Sequence, residues 1–216
     1  MIRPRLFLPP HPDGRITYLV CMAGEGEKIW SMLQESDGIT LCEIAVDSWF
    51  DDLSPWPQPR LFRNGSAFGG KAADTLQELV SQLPALEAPF AVLPVRRLLC
   101  GYSLAGLFAL WAGTQTDLFP LLGSFSGSLW YPAALPLLTE QLTAHPPRAV
   151  VLSLGDREKI TRSAVMATVE DNTLALRDAL AKAQVPVSFA LHPGGHFVDG
   201  EKRTVHGIRE AWSLIS

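Results

Sequence analysis

The feature that most constrains this chain is a regular alternation of short apolar runs, several of them unbroken, with segments of helical period. The runs are ITYLVCMAG (16–24), ITLCEIAVD (39–47), VRRLLCG (95–101), LLGSFSGS (121–128), AVVLSLG (149–155) and VPVSFALH (185–192). Between them, EKIWSMLQES (27–36) is closed by Asp37-Gly38, and Ala72, Leu76, Leu79, Val80 and Leu83 share one helical face. Further helices are expected over 104–115, 133–144, 164–183 and 203–214. Strands that are apolar on both faces belong to parallel sheets covered by helices on either side. The βαβα order therefore predicts a mostly parallel, doubly wound α/β sheet of about six strands in one domain, 1–216. Ligands of such sheets bind beyond the carboxyl ends of the strands, so the loops there are where function is sought.

One connection is too long for wiring. DSWFDDLSPWPQPRLFRNGSAFGG (47–70) has no clear period but carries two tryptophans, which predicts an ordered lip over a pocket. A net charge of −4 without a dense Lys/Arg cluster argues against a nucleic-acid partner. No run reaches the ~18 apolar residues of a membrane span. The start, MIRPRLFLPPHPDG, shows neither a long apolar run nor a cleavage site, so no secretory leader is expected. Cys21, Cys42 and Cys100 each sit inside a strand-like run, matching no zinc or redox spacing. They read as buried reduced thiols of a cytoplasmic protein.

Gly101-Tyr102-Ser103-Leu104-Ala105-Gly106 is one methyl group away from G-x-S-x-G, the elbow that holds a nucleophile between strand and helix. Strand and helix pass closely there, so the flanking residues must be small. Gly101 meets this need, and an alanine at 105 is a tolerable departure. By itself such a serine more often caps a helix.

Its partners make the case. A serine hydroxyl needs a base, a group to orient that base and donors for the oxyanion. Downstream of AVVLSLG, Asp156 and Glu158 both stand where an elbow hydrolase keeps its acid. Beyond VPVSFALH, His196 lies in a Gly-Gly turn with Phe197 beside it to exclude water, and is the best base. His11 and His145 sit among prolines, and His206 is on the exposed side of the last helix. His192 is the competitor, at the strand tip. His192 and His196 do not form a metal pair, because Pro-Gly-Gly cannot build the helix that would align them. Serine, acid, histidine is the chain order of the α/β-hydrolase triad.

The first oxyanion donor is expected to be the Leu104 N–H and the second that of Ala23 or Gly24, in the loop MAGEGEK. The same GEGEK lacks the glycine pattern of a phosphate cradle, and its glutamates would repel a phosphate. Trp49, Trp56, Trp130 and Tyr131 are expected as pocket walls. Ser126 and Ser128 read as backbone-bonding loop residues.

The segment GYSLAGLFALWAGTQTDLFPLLGSFSGSLWYP resembles the esterase D/enterochelin esterase group of α/β-hydrolases. DSWFDDLSPWP, GDREKITR and GGHFVDGEKRTVHGIREAW are similar to that group's proline loop, acid-bearing turn and histidine segment. The resemblance implies the α/β-hydrolase fold, Ser103 as nucleophile, His196 as base and, ahead of Asp156, Glu158 as acid. It also implies a cofactor-free serine esterase acting on small-molecule carboxylic esters, from siderophore lactones to acylated sugars. An acyltransferase and a non-catalytic binding protein on the same fold are the alternatives.

Overall fold

The structure is a computed structural model that describes residues 1–33, 38–62, 65–90 and 94–215. Its strands are β1 (Ile2–Phe7), β2 (Arg15–Cys21), β3 (Thr40–Val46), β4 (Pro57–Gln58), β5 (Phe68–Gly69), β6 (Arg96–Tyr102), β7 (Leu121–Phe125), β8 (Ala149–Gly155) and β9 (Val187–His192). Its helices are α1 (Glu25–Met32), α2 (Trp49–Asp52), α3 (Ala72–Glu87), α4 (Leu104–Gly113), α5 (Ala134–Ala144), α6 (Val169–Lys182) and α7 (Gly200–Ser213).

Seven strands form one sheet in the order β1-β3-β2-β6-β7-β8-β9, parallel except for β1. Both faces are buried, as the unbroken apolar runs require. On β2, Ile16, Tyr18 and Val20 enter the core under α3 to α6, while Leu19 and Cys21 face the opposite core. On β6, Leu99 faces the first core, and Leu98 and Cys100 the second, with Val205, Ile208 and Trp212 of α7. α4 is apolar all round and buried from Leu104 to Ala112, so it runs through the interior. The chain adds strands outward from β2 to β3, then returns to β6 on the other side of β2. That reversal opens a crevice between the carboxyl ends of β2 and β6.

Four expectations change. The segment before Ile16, where no strand was expected, contains β1, which pairs antiparallel with β3 from Ile2↔Val46 to Phe7↔Leu41. Arg3 and Arg5 point outward from it, and an edge strand tolerates Pro4. The long connection 47–70 is not irregular throughout, since it folds α2 and the two-stranded ribbon β4–β5. α6 begins at Val169, after a 3-10 turn at Met166–Thr168, and α7 begins at Gly200, earlier than the periodicity placed it. α1 runs Glu25–Met32, and its expected end near Asp37 lies outside the described residues. Among the described residues no helix is long and apolar enough to cross a membrane.

Candidate active site

β6 ends at Tyr102, α4 begins at Leu104, and Ser103 between them takes φ 58° and ψ −122°. This is a conformation side chains rarely adopt, and it lifts the hydroxyl clear of the backbone. The elbow closes tightly. A Cβ on Gly101 would stand 2.5 Å from the Ala105 Cβ and 2.7 Å from its carbonyl carbon. Alanine fits at 105 because residue 101 has no side chain.

Ser103 Oγ lies 3.0 Å from His196 Nε2, and His196 Nδ1 lies 2.8 Å from Glu158 Oε2. An ionised carboxylate only accepts hydrogen bonds, so Nδ1 carries the proton and the Nε2 lone pair faces the serine. Glu158 is buried, and burial pushes its pKa up. Hydrogen bonds from His196, Ser126 and the Gly155 N–H outweigh that push and hold the carboxyl below its ordinary value. Its Oε1 accepts from Ser126 Oγ (2.6 Å), the Gly155 N–H (2.7 Å) and Arg203 Nη1 (3.0 Å).

Asp156, the other candidate acid, does not meet the imidazole. It is exposed, and its Oδ1 accepts the Gly194 N–H at 2.8 Å, tying down the turn that carries His196. Two residues of extra reach separate the two acids: Glu158 folds back beneath Gly155, whereas Asp156 stays on the rim. Phe197 is 95% exposed, so it does not cover His196. Its ring stands edge-on to the imidazole, 5.0 Å between centroids.

A cavity of about 490 Å³ opens in front of Ser103 and His196, with Trp49, Phe50, Met22 and Ile29 in its walls. A smaller one, about 250 Å³, lies on the far side of His196 and Phe197 against Trp130 and Arg157. Of the expected aromatic walls, Trp49 lines the first and Trp130 the second. Trp56 and Tyr131 line neither. Tyr131 is buried, its hydroxyl donates to the Trp56 carbonyl at 2.6 Å, and its ring packs edge-on against Phe68. They support the lip from beneath, because a tyrosine whose hydroxyl meets a backbone carbonyl can be fully buried.

Leu104 opens α4, so its N–H has no intrahelical partner. The expected second donors are displaced. Gly24, at φ 84°, aims its N–H at Glu43 Oε1 (3.4 Å), and neither it nor Ala23 lines the cavity. Strand register explains this: Val20 pairs with Gly101, which brings Met22 abreast of Ser103. The Met22 N–H donates to Glu25 Oε2 at 2.9 Å. Glu43 also takes the Gly26 N–H (2.8 Å), so a carboxylate of the chain itself fills the start of α1 where a phosphate would sit.

Ser126 and Ser128, read from the sequence as backbone-bonding loop residues, also use their side chains at the site, and Arg203 escaped the sequence reading. Ser126, at φ 48°, bonds the acid through its side chain, and Ser128 Oγ lies 3.5 Å from Ser103 Oγ. Their only signal was SFSGS lying one strand away from the elbow. Arg203 is fully buried beside Glu158, and nothing local in α7 marks it. The three thiols are free and buried, and burial raises all of them. Cys21 borders the large cavity. His192 and His206 face each other edge-on, 5.2 Å apart, away from Ser103. Among the described residues no group of three His, Cys, Asp or Glu is placed to hold a metal ion.

A mostly parallel sheet with its serine elbow at the reversal of strand order is an α/β-hydrolase. Residues 47–198 match the family model described as "Putative esterase", and the chain belongs to that family. The uncharacterized protein YbbA of Bacillus subtilis (strain 168) is 29% identical over 124 residues, 56% of this chain and 50% of its own length. The matched stretch thus spans half of that relative. Among solved structures, the siderophore hydrolase EstA of Aspergillus nidulans superposes with a TM-score of 0.77 at 17% identity, covering 100% of this chain and 91% of its own. An IroE-like serine hydrolase of Shewanella oneidensis gives 0.77 at 22% identity, covering 96% and 74%. The enterobactin esterase FES of Shigella flexneri gives 0.69 at 19%, covering 100% and 56%. At these identities the likeness is one of fold.

Proposed function

We propose that this protein is a serine esterase that cleaves small carboxylic esters through an acyl-enzyme. The observation that carries the reading is the relay Ser103–His196–Glu158, with links of 3.0 and 2.8 Å, opening on a cavity of about 490 Å³. His196 Nε2 takes the hydroxyl proton as Ser103 Oγ attacks the ester carbonyl. The C–O bond to the alcohol then breaks, and the imidazolium returns its proton to the departing oxygen. Water, deprotonated by the same nitrogen, attacks the acyl-enzyme and frees the acid and the serine. The Leu104 N–H faces the oxyanion, and the Met22 N–H joins it when the Glu25 carboxylate swings away. Every proton in these steps moves between groups of this chain, substrate and water.

The larger cavity selects by charge. Its described lining holds the carboxylates of Glu25 and Glu201, the exposed or half-buried rings of Trp49, Phe50, Tyr102 and Phe197, and no lysine or arginine. Neutral or cationic esters suit it better than anionic ones. Membership of the esterase family supports the reaction type, while the wall charges disfavour an anionic ester in this pocket.

The test is labelling by a fluorophosphonate together with turnover of p-nitrophenyl butyrate. Wild type is expected to label and turn over, and Ser103→Ala to do neither. Undiminished turnover in the variant removes the proposal.

A further inference from the structure

Arg203 sits in the first turns of α7 at 1% exposure, a costly place for a guanidinium unless its donors are met. Five oxygens meet those of the two terminal nitrogens, while the buried Nε has no partner among the described residues. Nη1 faces Glu158 Oε1 (3.0 Å), Ser126 Oγ (3.1 Å) and the Tyr102 phenol oxygen (3.2 Å), and Nη2 donates to the carbonyls of Pro193 and Gly195, both at 3.0 Å. These partners stand at the carboxyl ends of β6, β7, β8 and β9 in turn. One planar group therefore fastens the elbow, the acid loop and the histidine loop to each other. Space is made for it: a Cβ on Gly155 would come within 2.8 Å of both terminal nitrogens and would collide with the Gly194 carbonyl.

We propose that Arg203 is a positioning residue for the esterase reaction, acting through Glu158 and the His196 loop; the proposal rests on the serine esterase reading above. Two physical effects follow from its contacts. With Oε1 saturated by Ser126, Gly155 and Arg203, the carboxylate cannot rotate, and only Oε2 is left for the imidazole. The cation also offsets the charge of Glu158. A lone buried carboxylate would favour imidazolium, which cannot take the serine proton, whereas the Glu158–Arg203 pair orients the ring and leaves it able to act as base.

Few other charges reach this point, and His192 is held below its ordinary value by burial first, then by His206 and Arg203, which favours its neutral form. The Tyr102 phenol is kept protonated chiefly by burial, which raises it. Asp156, Arg157 and the Asp199–Lys202 pair (2.8 Å) are exposed, as are Glu25 and Glu201 at the cavity mouth, so solvent screens them.

The experiment compares Arg203→Met and Arg203→Lys with wild type, measuring kcat, KM and kcat/KM for p-nitrophenyl butyrate from about pH 5 to 9, with a Tm for each protein. Arg203→Met is expected to lower kcat by about 10²-fold at little changed KM, and to move the acid limb of kcat/KM up by about one pH unit, because the imidazolium loses a repelling charge. Arg203→Lys keeps the charge but not the fork. Its kcat is expected to fall about tenfold, with the acid limb at the wild-type pH. If Arg203→Met does not fold, Arg203→Lys decides, and a lower kcat at intact Tm supports the role. Wild-type kcat in either folded variant, or an activity loss that only tracks the unfolded fraction, overturns it. If wild type neither labels nor turns over ester, the esterase reading falls and this role with it; active wild type with indifferent Arg203 variants removes this role alone.

Discussion

The hydroxyl of Tyr102, the residue before the proposed nucleophile, donates to the backbone carbonyl of His196, the proposed base, across 2.6 Å. Strand β6 thereby holds the loop that follows β9 directly, through a bond from the residue before Ser103 to the backbone of His196 itself. Tyr102→Phe is expected to lower kcat severalfold and stability by about 1 kcal/mol, since it frees the loop and leaves a carbonyl unpaired. Steady-state kinetics and a denaturant melt check both. An unchanged kcat would mean that the loop is held without this bond.

Ser103 carries the strain of the elbow at φ 58°. Ser103→Ala is expected to cut ester turnover by about 10³-fold or more without lowering Tm. Ser103→Gly is expected to be equally inactive yet more stable by about 1 kcal/mol, because glycine accepts that backbone without strain. Thermal melts of the two inactive variants, side by side, isolate the strain.

The depressed pKa of Glu158 gives stability a pH dependence. Its folded-state value lies below the ordinary 4.5, through hydrogen bonds that overcome burial. The stabilisation is therefore complete above the ordinary value and is lost as pH falls through the lowered one. Glu158→Gln also strands the buried Arg203, so at neutral pH it is expected to be less stable by about 3 kcal/mol. The gap to wild type should be full above about pH 5 and narrow on acidification below it. Urea melts from pH 3 to 7 read this directly. A gap that widens toward acid would contradict the assignment of the charged form.

Glu25 lines the cavity with its carboxylate fixed on the Met22 N–H. Glu25→Gln is expected to raise kcat/KM for an anionic ester about fivefold relative to a neutral one at low ionic strength, and the advantage should fade with salt. Matched esters of succinate and butyrate, assayed at two salt concentrations, test the expectation. An anionic ester preferred by wild type would sink it.

Much of this molecule is decided locally. A run apolar on both faces can be satisfied only inside a covered parallel sheet, so ITYLVCMAG and AVVLSLG declare their place before any partner is known. The elbow is likewise local, because Gly101, Ser103 and the start of α4 are consecutive. β1 was hidden because an edge strand with one half-buried face needs few apolar residues and carries a proline.

What the sequence determined by itself is the layered α/β fold and the order serine, acid, histidine, since both follow from short-range period and chain sequence. The motif resemblance puts Glu158 ahead of Asp156, but only the tertiary structure showed that it is Glu158 that reaches His196, that Met22 lies abreast of Ser103, and that Ser126 and Arg203 close around the acid. Those contacts join residues 38, 32 and 45 positions apart around Glu158, and 93 apart between base and serine. They depend on inter-strand register and on how the strand-end loops fold over one another, and neither is encoded in any local stretch of the chain.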